Sequence, residues 1–172
     1  MRKGLLTISG FVAFGVLMFL LFQPDAHSTA RPPGERQMMP DIAMATLDGG
    51  EWKLSDHRGK VVLVNLWASW CPPCRGETPA FVKLAGEFRG RGLETAGINM
   101  DEERADARRF VEHYRIPYPT LLPKAGDPLT SSTESLPTTF LIDRAGRVAR
   151  MYVGAVSERD LRTGITALLN ER

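Results

Sequence analysis

The chain holds two cysteines, and they stand two residues apart: Cys71 and Cys74 in "LWASWCPPCRGETPAF", residues 66–81. Such a pair can staple a fold, hold a metal or pass electrons. A bridge between near neighbours closes too small a loop to restrain the unfolded chain much, so a staple here would be weak. A zinc site asks for about four ligands. No second cysteine pair exists, and His27, His57 and His113 are scattered.

Electron transfer has a positive mechanism. Pro72 fits the first position of a helix, where its missing N–H costs nothing, and Cys71 would then cap that helix. The unpaired N–H groups and partial positive charge of a helix start favour a thiolate, which makes Cys71 the nucleophile. Cys74, one turn further on the same face, is placed to attack the resulting mixed disulfide and release the substrate. Trp70 would cover the site beside an exposed Cys71 sulfur, whereas Trp67, on the preceding strand, points into the core.

These side chains need a strand that ends and a helix that begins at the pair. "VVLVNLW", residues 61–67, is β-branched and continuously apolar, as a strand buried on both faces requires. Residues 72–88 read as a helix with Phe81, Leu84, Ala85 and Phe88 at helical spacing. A second strand at 93–100 and a second helix at 101–114, with acids in its first turn and His113 in its last, imply a parallel crossover. Before them, the Asp48-Gly49-Gly50 turn predicts a small hairpin with Trp52 packed on the domain. After them come a short strand in "YPTLL", a loop with one helical turn, an antiparallel pair around Arg144-Ala145-Gly146, and a closing helix from 158 to 169.

With 172 residues, 43% hydrophobic, 24% charged and a formal charge of +2 without a basic patch, the chain has room for one globular domain and little affinity for nucleic acid. An uncharged apolar run, residues 4–22, follows Arg2 and Lys3. At about 1.5 Å per residue it just spans a hydrocarbon core of roughly 30 Å. Its length favours a retained anchor over a cleaved signal peptide, with the basic pair on the cytoplasmic side. Residues 1–22 therefore read as a signal-anchor segment, 23–39 as a flexible tether rich in Pro, Gly and small polar residues, and 40–172 as the domain.

"WCPPC" after an apolar strand, together with "LPTTFLIDRAGRV" at residues 136–148, resembles the thioredoxin superfamily, and within it the membrane-anchored TlpA/ResA/DsbE-like thiol-disulfide oxidoreductases. The resemblance implies an α/β thioredoxin-like fold: a mixed central sheet flanked by helices, with an N-terminal β-hairpin. It implies that Pro137 is cis and faces the cysteines, that Leu136 before it and Trp70 help seat a substrate segment, and that Pro72 and Pro73 help set the reduction potential. Glu77 matches an acid that this branch places near the pair, where it would raise the Cys74 pKa and accept its proton. Asn65 stands where cytosolic thioredoxins carry a buried aspartate. Arg75 reads as a solvated side chain and Gly154 as a turn.

The same resemblance implies a protein-disulfide reductase facing the periplasm from a bacterial inner membrane. It would use no cofactor beyond its Cys71–Cys74 disulfide and bind no metal. Its partners would be disulfide-containing exported proteins, of the cytochrome c maturation or copper-site assembly type, and an integral-membrane electron donor of the DsbD/CcdA kind. The residues also permit an oxidase or isomerase, or a copper(I) metallochaperone built on the dithiol; a peroxidase is a rival by the shared fold of peroxiredoxins, but their peroxidatic cysteine does not sit in a Trp-Cys-Pro-Pro-Cys pair.

Overall fold

The computed structural model describes residues 27–171; the apolar run at 4–22 and the start of the expected tether lie outside them. Its strands are β1 (His27–Ala30), β2 (Ala43–Thr46), β3 (Glu51–Lys53), β4 (Val61–Trp67), β5 (Leu93–Asn99), β6 (Thr120–Leu122), β7 (Thr138–Ile142) and β8 (Val148–Val153). Its α-helices are α1 (Pro72–Phe88), α2 (Arg104–Tyr114), α3 (Pro128–Ser131) and α4 (Glu158–Asn170). All strands join one sheet in the order β1-β8-β7-β4-β5-β6-β2-β3. The β4–β5 and β5–β6 pairs are parallel and the remaining pairs antiparallel, which is the mixed sheet expected.

β4 lies within the sheet, and all seven of its residues are buried. Alternation sends Val61 and Leu63 to one face, where Phe81, Leu84 and Phe88 of α1 and Leu161, Ile165 and Leu168 of α4 cover them. Val62, Val64 and Leu66 face the other way, onto Ile42, Met44, Trp52 and Leu54 from the β2–β3 hairpin region. That hairpin is thus the lid of the second core layer, and through β2 it extends the sheet beyond β6.

Two expectations need correction. Residues 27–39 are not a free tether. β1 pairs with the edge of β8, Arg36 reaches Asp143 and Glu171 at 3.2 and 2.6 Å, and Met39 is buried in the second layer. Composition signals an absence of core residues, but an edge strand and one arginine with two carboxylates are enough to lay the segment down. The second helix also begins at Arg104 rather than 101, because the Asp101 carboxylate is engaged by Ser69 and Asn99 instead of the helix start.

Trp67 ends β4 inside the core, stacked on Phe110 with ring centroids 4.4 Å apart. Its place is opened by Gly97, diagonally across from it on β5 and opposite Asn65. A Cβ at Gly97 would stand 2.6 Å from Trp67 Nε1 and 3.4 Å from the Tyr118 ring. Gly97→Ala is therefore expected to destabilise by about 1–3 kcal/mol, read as a lower urea midpoint at constant slope. An unchanged midpoint would mean that the indole is free to shift.

Candidate active site

Cys71 is the N-cap of α1 and Pro72 its first residue, as the sequence requires. The Cys74 N–H donates to Cys71 Sγ at 3.3 Å, and the Arg75 N–H to the Cys71 carbonyl at 3.2 Å, so the helix start closes around this residue. The sulfurs are joined in a disulfide with a Cα–Cα distance of 5.3 Å. Both residues are buried, Cys71 at 3% exposure and Cys74 at 0%, while Trp70 is 67% exposed. The expectation of an exposed Cys71 sulfur fails for this oxidised state, since Cys71 is buried in one cluster with Trp67, Ala68 and Phe110. Trp70 stands open beside the pair.

The loop from β4 to α1 is fixed by residues that sequence pattern alone does not single out. Asp101 accepts from the Ser69 N–H at 2.9 Å and from Ser69 Oγ at 3.0 Å, and Asn99 Nδ2 donates to its other oxygen at 2.8 Å. Arg75 is exposed, as expected, and also donates from Nη1 to the Ser69 carbonyl at 3.2 Å. The only signal in the sequence is an acid two residues after an asparagine at a strand end, a spacing that serves a turn as well as a helix.

Leu136–Pro137 is a cis peptide bond. Thr138, the next residue, pairs with Leu66 at the end of β4, and Leu136 packs against the cluster that holds both cysteines. The structure so brings Leu136, Pro137, Cys71 and Cys74 to one end of the sheet. The Pro137 carbonyl accepts from the Gly154 N–H at 2.9 Å, tying in the turn after β8. Beside this point runs a groove of about 560 Å³ lined by Leu129, Thr133, Thr138, Phe140, Met151 and Val153.

Glu77 lies one turn beyond Cys74 on α1 and is 5% exposed. Asn65 Nδ2 donates to its Oε1 at 3.0 Å, and the Val156 N–H to its Oε2 at 3.1 Å. Asn65 Nδ2 also donates to Thr139 Oγ1 at 3.0 Å, across the β4–β7 ladder. Burial pushes the Glu77 carboxyl up to about 7, against the two donors, which pull it down. The Tyr118 phenol is raised by its own burial and by the Glu77 charge. Asn65, which the resemblance sets at the place of a buried aspartate in cytosolic thioredoxins, thus offers a donor to Glu77. Among the described residues no three His, Cys, Asp or Glu side chains gather as metal ligands.

A strand, a cysteine-capped helix and a cis-proline meeting at one sheet end define a thioredoxin-like redox protein. Residues 36–152 match the AhpC/TSA family. The ResA thiol-disulfide oxidoreductase of Geobacillus thermodenitrificans is 31% identical over 130 residues, 75% of each chain. A crystal structure named as a putative thiol:disulfide interchange protein DsbE from Chlorobium tepidum superposes with a TM-score of 0.72 at 32% identity, covering 78% of this chain and 97% of that one. A secreted thiol-disulfide isomerase from Corynebacterium glutamicum gives 0.75 at 28% identity, covering 84% and 92%. The chain belongs to the AhpC/TSA family, among the thiol-disulfide oxidoreductases of the ResA type.

The Glu77 carboxyl sets a dependence of stability on pH. Its ordinary value is 4.5 and its folded value about 7, so between these limits the native protein holds more protons than the unfolded chain. Stability is therefore greatest below the lower limit, falls as pH rises through the window by about 3 kcal/mol in all, and levels off above it. Urea unfolding of the oxidised protein across this range, compared with Glu77→Gln, is expected to show the slope only in the natural protein. Parallel curves would remove Glu77 as its source.

Proposed function

We propose that the protein reduces disulfides in exported client proteins. The Cys71 thiolate attacks one client sulfur, forming a mixed disulfide and expelling the other client sulfur as thiolate. Cys74, deprotonated, then attacks the Cys71 sulfur and frees the second client thiol, leaving the Cys71–Cys74 disulfide. Two electrons have passed to the client. What carries the nucleophilic role of Cys71 is the contact between the Cys74 N–H and Cys71 Sγ at the start of α1, since a donor and a helix dipole aimed at this sulfur favour its thiolate; the direction toward reduction rests on the resemblance to ResA-type proteins and on the anchor. Glu77, held near neutrality one turn from Cys74, is the acceptor for its proton.

Trp70, Leu136 and Pro137 seat an extended client segment, and Pro72 and Pro73 help set the potential. No cofactor beyond the cysteine pair is needed. Apocytochrome c and copper-site proteins with paired cysteines are the clients this type of enzyme fits. The apolar run at residues 4–22 anchors the domain on the outer side of a bacterial inner membrane, where an integral-membrane donor of the DsbD/CcdA kind recharges it. The isomerase name of the Corynebacterium neighbour supports a second reading, in which the pair forms or reshuffles disulfides.

The reduction potential separates the two directions. Equilibration of a fragment from Gln23 onward, which keeps β1, with glutathione or dithiothreitol buffers is expected to give roughly −200 to −270 mV, and a value of about −120 mV would mark an oxidant. Cys74→Ser is expected to accumulate mixed disulfides that dithiothreitol dissolves, seen on non-reducing gels. A copper(I) carrier would yield none.

A further inference from the structure

β1 sets where the chain joins the sheet. It runs antiparallel to β8, with His27 opposite Val153 and Ala30 opposite Arg150. Val153 lies opposite Thr138, and Thr138 opposite Leu66. One row across the sheet therefore links the first of the described residues to the end of β4 that leads into Cys71. At roughly 4.8 Å per strand, His27 is about 14 Å from Leu66. The chain enters the domain at its redox end.

From there the segment is held along the whole of β8. The Arg31 N–H donates to the Ala149 carbonyl at 2.9 Å, the Val148 N–H to the Gln37 carbonyl at 2.9 Å, and the Met39 N–H to the Gly146 carbonyl at 3.0 Å, while Arg36 grips Glu171 and Asp143. This shortens the leash. Residues 23–26 are all that separate the apolar run from His27, and four residues span at most about 14 Å; the seventeen residues of a free tether would span about 60 Å. A leash that short, attached at the redox end, leaves no room for the domain to turn over, because β7 and β8 are themselves about 17–20 Å long.

We propose that β1 docks the domain with its redox end toward the membrane, so that the surface around Cys71 and Trp70 meets an electron donor embedded in the bilayer. This rests on the reading of residues 4–22 as an anchor. The donor's dithiol becomes a disulfide as the Cys71–Cys74 disulfide becomes a dithiol, two electrons and two protons crossing at the membrane surface. The exposed Trp70 suits that place, since an indole is stable between an apolar and a wet environment. Clients approach from the flank, along the groove beside Pro137.

The test uses the full chain in phosphatidylcholine–phosphatidylglycerol vesicles carrying a nitroxide on the lipid headgroup. A thiol-reactive fluorophore is placed at Glu134→Cys, just before Pro137, or at Ala145→Cys, in the β7–β8 turn at the far end; the oxidised native pair does not compete for it. Quenching is expected to be several-fold stronger at 134 than at 145. A flexible insertion of about ten residues between residues 26 and 27 is expected to abolish the contrast. Equal quenching at the two sites, or stronger quenching at 145, in a chain that resists carbonate extraction overturns the orientation alone, and a contrast that survives the insertion overturns the part played by the short leash. A chain that carbonate removes overturns the anchor, and the orientation with it.

Discussion

The donation from the Cys74 N–H to the Cys71 sulfur, 3.3 Å long, is the contact that the rest of the molecule serves. It exists only if the chain stops being a strand at Trp67 and becomes a helix at Pro72, with a loop of fixed shape between. The apolar β4 fixes where the strand runs, the Pro72 ring fixes the first helical φ, and Asp101 clamps the Ser69 N–H so that the loop does not wander. Gly97 contributes by what it lacks, since the Trp67 indole occupies the place of its missing side chain.

Glu77 is the costly part of the design. Placing a carboxyl in a layer of Phe81, Leu84 and Tyr118 works against ionisation, and the fold offsets this with an asparagine amide and a backbone N–H instead of a cation. The result is a carboxyl poised near neutrality, able to exist in either form at little cost. A lysine or arginine in place of the Asn65 amide would hold the charge permanently and remove that freedom.

How much of the molecule is legible in its sequence depends on the range of the forces involved. Cys71 as a cap, Pro72 as first helical residue and residues 61–67 as a buried strand are local matters of periodicity and proline geometry. The cis bond at Pro137 and the place of Glu77 come through family resemblance, because they express contacts between distant segments. Asp101 escapes a local reading because an acid near a helix start and an acid in a turn look alike until the partner, Ser69, is brought over by the fold. Residues 27–39 pass for a tether for a related reason: edge pairing uses backbone groups, which leave no mark in composition, and Arg36 finds its partners more than a hundred residues away.

The burial of both sulfurs has a bearing on the oxidising surroundings proposed for the domain. A disulfide is broken by in-line approach of a thiolate to one of its sulfurs. With Cys71 at 3% exposure and Cys74 at 0%, a small diffusible thiol meets little sulfur surface and exchanges slowly, whereas a partner that spreads over Trp70 and Leu136 holds its own sulfur in place. The fold thus acts as insulation around a conductor: exchange with the medium is slowed, and current flows fastest where a shaped contact closes the circuit.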